Sequence, residues 1–63
     1  DDSKAIEQII DEVLSQNEDQ VNEYRSGKQK VYSFFEGQIM KKTKGQADPD
    51  RVNQILKRKL DKQ

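Results

Sequence analysis

Apolar residues recur along this chain with the spacing of α-helices. In the first segment Ile6, Ile10 and Val13 lie four and three positions apart, and Ile9 and Leu14 widen the same face. No segment shows the strict alternation of apolar and polar residues that indicates a strand. We therefore predict an all-α fold, a small bundle of three to four helices at about residues 3–15, 18–26, 28–44 and 49–61, in a single domain that spans residues 1–63.

The third predicted helix carries the broadest apolar surface, with Val31, Phe34, Phe35 and Ile39 on one face. We expect it to be the central helix, against which the others pack. Both phenylalanines therefore belong to the predicted core. The remaining predicted core residues are Tyr32 and Met40 at the edges of this face, Val21 and Tyr24 from the second helix, and Val52, Ile55, Leu56 and Leu60 from the fourth.

Helix boundaries are marked by a few residues with known positional preferences. Asn17, with a glutamine three positions later, is typical of a capping box at the start of the second helix. Gly27 and Gly45 are expected to end the second and third helices in left-handed conformations. Asp48 as N-cap and Pro49 at the first helical position predict the start of the fourth helix.

Gly37 lies inside the third predicted helix, where glycine costs about 1 kcal/mol relative to alanine. The absence of a β-carbon allows a neighbouring helix to pack closely, and this is the interpretation that we favour. A ligand backbone could use the same freedom, and a tolerated defect in a marginal helix is the third possibility.

Composition limits the chemistry that the chain can perform. Only 30% of its 63 residues are apolar and 38% are charged, so the core is expected to be thin. Cysteine and histidine are both absent, which removes thiolate chemistry and the usual general base. The neighbouring acids fit helix caps and first turns better than metal sites. We predict no catalytic residues, no metal and no bound cofactor, and neither a membrane span nor a targeting segment.

Charge is divided unevenly along the chain. Residues 1–26 hold eight acids and two bases, a balance of −6, and residues 27–63 hold four acids and ten bases, a balance of +6. The basic half could attract an anionic partner such as nucleic acid. Alternatively, the two halves attract each other.

The densest basic cluster consists of Lys41, Lys42 and Lys44, followed by Gly45 and Gln46. Cations in the last turn of a helix meet the negative end of its dipole, which explains one or two lysines without any ligand. Three lysines beside flexible residues could also hold phosphate groups. On these grounds alone, a solvated helix end and a phosphate site both stay open.

A family resemblance is carried by residues 17–60, which cover about two thirds of the chain and read "NEDQVNEYRSGKQKVYSFFEGQIMKKTKGQADPDRVNQILKRKL". This run resembles the C-terminal tail domain of the B subunit of the tRNA-dependent amidotransferases, a domain shared with YqeY-type proteins. The most specific segments are "YRSGK", "FFEGQIMKKTKG" and "ADPDRVNQILKRKL", in that order.

The resemblance implies a role in bacterial, cytoplasmic translation. Enzymes of that family convert Glu-tRNA(Gln) to Gln-tRNA(Gln) or Asp-tRNA(Asn) to Asn-tRNA(Asn), using ATP, magnesium and glutamine, and the B subunit works with the A and C subunits. The resemblance places the catalytic domain outside this chain, and the start at Asp1 without an initiator methionine suggests an excised piece. We expect the isolated domain to be a monomer.

The resemblance also favours a binding role for the basic cluster. It implies that Lys41, Lys42 and Lys44 contact the phosphates of tRNA(Gln) or tRNA(Asn), with Gly45 and Gln46 allowing close approach. We expect Lys28 and Lys30 to extend this patch across one turn of the same helix. Two alternatives stay open: a module for protein interaction, and a structural tail that has no contact with tRNA.

Overall fold

Four α-helices follow one another along the chain in the computed structural model, which describes the backbone of residues 2–61 and the side chains of residues 3–61. No strand occurs within residues 2–61. The predicted all-α fold is therefore confirmed, and three of the four predicted helices match to within one residue at each end. The helices are α1 (Asp2–Gln16), α2 (Glu18–Arg25), α3 (Lys30–Lys42) and α4 (Pro49–Asp61).

Each helix contacts the other three, in a bundle that measures 32 × 20 × 20 Å. Helix α3 lies against all of the others and contributes Phe35 and Ile39, both of which are fully buried. They are two of the nine buried residues of the described core, to which α1 contributes three and α4 four. The other buried residues are Ile6, Ile10, Val13, Val52, Ile55, Leu56 and Leu60, all of which the apolar spacing predicted.

Helix α2 has no fully buried residue and is held at the bundle partly by hydrogen bonds. The Arg25 guanidinium donates from Nε to the Leu60 carbonyl oxygen at 3.2 Å, at the end of α4. Cations favour this end of a helix because its carbonyl groups have no partners within the helix. In the adjacent helix, the Tyr32 hydroxyl donates to Asn53 Oδ1 at 2.7 Å. Both α2 and α3 are thereby tied to α4.

The prediction that Phe34 belongs to the core is wrong, since 39% of this residue is exposed. Successive residues of a helix point about 100° apart, and in α3 the inward direction coincides with Phe35 and leaves Phe34 to one side. Phe35 shares its face with Ile39, four positions on, and that pair is buried. Phe34 remains outside, with its ring centroid 5.7 Å from that of Phe35.

The prediction that Gly37 mediates close helix packing is also wrong. A β-carbon built at this position would meet no atom within 4 Å, and the residue is exposed. A glycine that faces open space in a helix weakens the helix without improving its packing. The structure therefore leaves the other two interpretations, an approaching ligand or a tolerated defect.

The residues that mark the helix ends behave as predicted at Gly27 and Asp48 but not at Asn17. Its side chain makes no cap hydrogen bond to α2. Instead it donates from Nδ2 to the Val13 carbonyl oxygen at 2.8 Å, and so closes α1. Gly27 ends α2 with a left-handed φ of 117°, as predicted. Asp48 caps α4, since its Oδ1 accepts a hydrogen bond from the backbone N–H of Asp50 at 3.0 Å.

Helix α1 is held to α4 by an ion-pair cluster as well as by the core. Lys59 Nζ lies 2.8 Å from Asp11 Oδ1 and 3.1 Å from Glu7 Oε2. The hydrogen bond to Asp11 raises the pKa of Lys59, the partial burial of the ammonium opposes that rise, and Glu7 adds to it. The Lys59 side chain is only 20% exposed, so its ammonium is better shielded from solvent than the cations of the other ion pairs, although Asp11 is 58% exposed.

We predict that Lys59→Met lowers the free energy of unfolding at neutral pH, and that the deficit disappears at alkaline pH. Because the folded-state pKa is raised, the stabilisation is fully present below the unfolded lysine pKa of about 10.4 and is lost as the pH rises through the folded-state pKa. Urea unfolding at several pH values would measure this, with Lys57→Met as the control for an exposed lysine. A deficit that did not depend on pH would contradict the prediction.

Candidate functional site

The turn between α3 and α4, residues 43–48, follows the end of α3 at Lys42. Helix α3 is therefore two residues shorter at this end than predicted, and it also begins two residues later, at Lys30. The turn is closed by two hydrogen bonds, from the Lys44 N–H to the Lys41 carbonyl oxygen at 3.2 Å and from the Gly45 N–H to the Met40 carbonyl oxygen at 2.8 Å. This pair of bonds defines a Schellman motif.

Two consecutive residues of this turn have left-handed backbones. Gly45 has a φ of 73°, as predicted, but Lys44 also has a positive φ, of 57°. Lys44 occupies the position of the Schellman motif where glycine is usual, and a residue with a β-carbon is disfavoured there by roughly 1 to 2 kcal/mol. Sequence reasoning missed this strain because Gly45 is adjacent. Strained non-glycine residues of this kind cluster at functional sites.

The predicted tRNA-binding lysines fall into two groups. Lys42 Nζ lies 3.0 Å from Glu12 Oε1 and Lys28 Nζ lies 3.3 Å from Glu23 Oε2, so carboxylates of the same chain partly neutralise these two. Among the residues whose side chains are described, no carboxylate forms an ion pair with Lys30, Lys41 or Lys44. This second group carries the uncompensated positive charge of the predicted set.

The two ends of α3 do not form one compact patch. Lys30 and Lys41 are about three turns apart, or roughly 16 Å at the helical rise of 1.5 Å per residue. The predicted extension of the patch across one turn is therefore wrong, and Lys28 lies before the helix. Lys41 and Lys44 instead meet Gly45 and Gln46 at the α3–α4 turn, where all four residues are exposed.

The uneven division of charge has one of its two predicted consequences, attraction between the halves. Acids of α1 pair with the basic half, through Glu12 with Lys42 and through Glu7 and Asp11 with Lys59. The two halves therefore do attract each other. This pairing leaves the positive charge of Lys41 and Lys44 at one end of α3, beside a turn that carries exposed backbone.

Other kinds of site find no support in residues 3–61. No three of their acidic side chains are grouped so that they could hold a metal ion. Within the described part of the chain, no helix combines the length and the apolar character that crossing a membrane requires. The exposed end of α3 at Lys41, together with Lys44 in the turn, is the arrangement best suited to an anionic ligand.

Fold and site together define a small helical domain whose most distinctive surface is a basic turn. The chain belongs to the GatB domain family, whose model matches residues 1–60. The matching region of the amidotransferase B subunit is its C-terminal part, so the resemblance carried by residues 17–60 is confirmed and extends over α1.

Curated relatives carry the name of the B subunit of aspartyl/glutamyl-tRNA(Asn/Gln) amidotransferase. Those of Coxiella burnetii and Rickettsia canadensis are each 56% identical over 59 residues, and that of Halorhodospira halophila is 48% identical over 60 residues. These matches cover 94 to 95% of this chain, which spans 12% of the length of the relatives. No solved structure matched the chain.

We predict that Lys44→Gly stabilises the fold by about 0.5 to 1 kcal/mol, because glycine adopts a positive φ without a steric penalty. Denaturant unfolding monitored by circular dichroism would measure the change. Gly45→Ala is the matched control and should lower the stability, since it introduces a β-carbon at the neighbouring left-handed position. A loss of stability in Lys44→Gly would show that the lysine side chain supports the fold instead.

Proposed function

We propose that this chain is the tRNA-contacting domain of the B subunit of an aspartyl/glutamyl-tRNA amidotransferase, which helps the enzyme to hold and select misacylated tRNA. The supporting observation is the α3–α4 turn, where Lys41 and Lys44 are exposed and no described carboxylate pairs with them. Membership of the GatB domain family and the names of the relatives point to the same enzyme.

Phosphate recognition suits this turn better than base recognition. The ammonium groups of Lys41 and Lys44 are mobile point charges, which attract phosphates without selecting one sequence. Gly45 presents its backbone without a side chain, and Gln46 adds an exposed amide that can donate to a phosphate oxygen. The turn would thus position the tRNA, while the rest of the enzyme reads its identity.

The paired lysines would play a smaller part. Exposed ion pairs such as Lys42 with Glu12 and Lys28 with Glu23 contribute about 0 to 1 kcal/mol, so a phosphate could replace the carboxylate. Binding of a phosphate to a paired lysine is less favourable than binding to Lys41 or Lys44, because the attraction between the lysine and its carboxylate is lost. Lys30 lies too far along α3 to join the turn and would reach a different phosphate.

Catalysis is assigned to other parts of the parent protein. This chain has no histidine or cysteine and accounts for 12% of the length of its relatives. Under this proposal the remainder of the B subunit, together with the A and C subunits, supplies the sites for ATP, magnesium and glutamine. The parent enzyme would work in the bacterial cytoplasm, where misacylated tRNA is made.

A protein-docking role is the alternative function, and one observation favours it. A groove of about 590 Å³ lies between α1 and the α3–α4 turn, and part of its lining is apolar, from Ile6, Ile9 and Ala47. Another protein of the complex could occupy this groove. Binding through the groove would depend little on salt and would not require Lys41 or Lys44.

We predict that the chain binds unacylated tRNA(Gln) or tRNA(Asn) with an affinity that falls as salt rises, and that the double variant Lys41→Gln, Lys44→Gln binds more weakly. Each lost phosphate contact should reduce the slope of log K against log salt by about 1. Fluorescence anisotropy of end-labelled tRNA over a series of salt concentrations would measure both quantities.

The matched control is the double variant Lys4→Gln, Lys57→Gln, which removes the same charge from exposed positions on α1 and α4. An equal loss of affinity in both double variants would indicate attraction by net charge and would reject a site at the turn. Binding that ignored both salt and the lysines would favour the docking role.

A further inference from the structure

The outward face of α3 forms a continuous stripe between its two ends. Lys30, Phe34, Gly37 and Lys41 are four, three and four positions apart, which places them in one row along the helix. All four are exposed, and they lie opposite the face that buries Phe35 and Ile39. We call these four residues the α3 stripe.

At the centre of the α3 stripe, the surface of the helix is backbone without a side chain. Gly37 has no β-carbon, and nothing within 4 Å would obstruct one. The fold therefore gains nothing from glycine here, while the helix is weakened by its presence. What glycine does provide is access, because another backbone can approach the helix more closely at this point than at any residue with a side chain.

An aromatic ring lies beside Gly37 on the same face of α3. Phe34 is the only large apolar residue that is exposed among those with described side chains, and 39% of it is accessible. Its ring meets Phe35 edge-on, at an interplanar angle of 63°. The contact anchors the side chain while part of the ring remains open to a partner.

The charge of the stripe is entirely positive. Lys30 lies in the first turn of α3, where the helix dipole disfavours a cation and no acidic residue compensates. The one acid of the helix, Glu36, is half-buried and faces Tyr32, whose pKa is raised by burial and further by this carboxylate. An anionic partner would thus meet lysines at both ends of the stripe and no acidic group between them.

We propose that the α3 stripe binds an unpaired segment of the RNA, with a base stacked on Phe34 and the sugar-phosphate backbone passing over Gly37 between Lys30 and Lys41. This inference rests on the proposed tRNA contact and extends it from the α3–α4 turn along the whole of α3. The lysines attract the phosphates and so position the RNA strand along the helix. The aromatic ring selects nucleotides whose bases are not stacked within a duplex.

An RNA double helix cannot make the same contacts with the α3 stripe. Bases within an A-form duplex are stacked on one another, so a single exposed ring cannot reach the face of one. Unpaired nucleotides expose their faces, and proteins commonly receive them on aromatic side chains. The stripe would therefore distinguish loops from stems, which the lysines of the turn cannot do by charge alone.

The first test is Gly37→Ala, which separates binding from folding. Alanine should raise the stability of the chain, because it favours the helix and meets no neighbour. Its methyl group should nevertheless weaken the binding of tRNA by roughly fivefold or more, since it holds the strand away from the helix. Gln54→Ala is the control, because it raises helix propensity at an exposed position of α4. Unchanged affinity in Gly37→Ala would overturn the close approach.

The second test is Phe34→Leu, with Phe34→Tyr as the variant that keeps the ring. Binding to single-stranded oligoadenylate should weaken by between about 5-fold and about 100-fold in the leucine variant and be retained by tyrosine. Binding to a blunt RNA duplex with the same number of nucleotides should change in neither variant. Equal losses on both RNAs, or no loss on oligoadenylate, would overturn the stacking.

The two proposals fail in different ways. The chain could bind tRNA with an affinity that falls when Lys41 and Lys44 are replaced but does not change when Phe34 or Gly37 is replaced. That result would reject RNA binding along the stripe and leave the proposed function in place. If the chain binds neither tRNA nor oligoadenylate at low salt, both proposals fall. Binding of oligoadenylate that depends on Phe34, without any binding of tRNA, would retain the stripe as a general single-strand site and reject the proposed function.

Discussion

Burial of Phe35 and Ile39 is the constraint on which the rest of the structure depends. These two residues lie on one face of α3 and are fully buried, at the place where α3 packs against the other three helices. Since a helix is a rigid element, fixing that face inward also fixes which residues face outward. Phe34 and Gly37 are therefore exposed as a geometric consequence of the packing of the core. The same packing fixes the positions of the exposed residues of α3 relative to one another.

Charged side chains are also distributed unevenly over the bundle. Acids and bases form ion pairs where α1 meets α3 and α4, and unpaired lysines lie on another part of the surface. The acids of α1 neutralise Lys42 and Lys59, which hold α1 to α3 and to α4. Lys30, Lys41 and Lys44, on the outward face of α3 and at the turn that follows it, form no ion pair with a described carboxylate. A net charge of +0 for the whole chain thus conceals a surface that is suited to an anion at one place.

Most of the fold could be predicted from the sequence because its signals are local. Apolar spacing located the four helices, and Asp48 behaves as the N-cap that its sequence context predicts. The errors arose where two local signals compete or where the partner is distant. Asn17 can cap the next helix or close the preceding one, adjacent phenylalanines compete for one inward direction, and the open space at Gly37 depends on where three other helices pass. Strain at Lys44 is hidden by the glycine that follows it.

The most direct test of RNA binding along α3 is a map of amide chemical shifts in the labelled chain as unacylated tRNA is added, at low and at raised salt. We predict that shifts concentrate on the outward side of α3 and on the α3–α4 turn, from Lys30 to Gln46, and fade as salt rises. Shifts centred on the groove beside Ile9 and Ala47, or an absence of shifts at low salt with excess tRNA, would contradict this prediction.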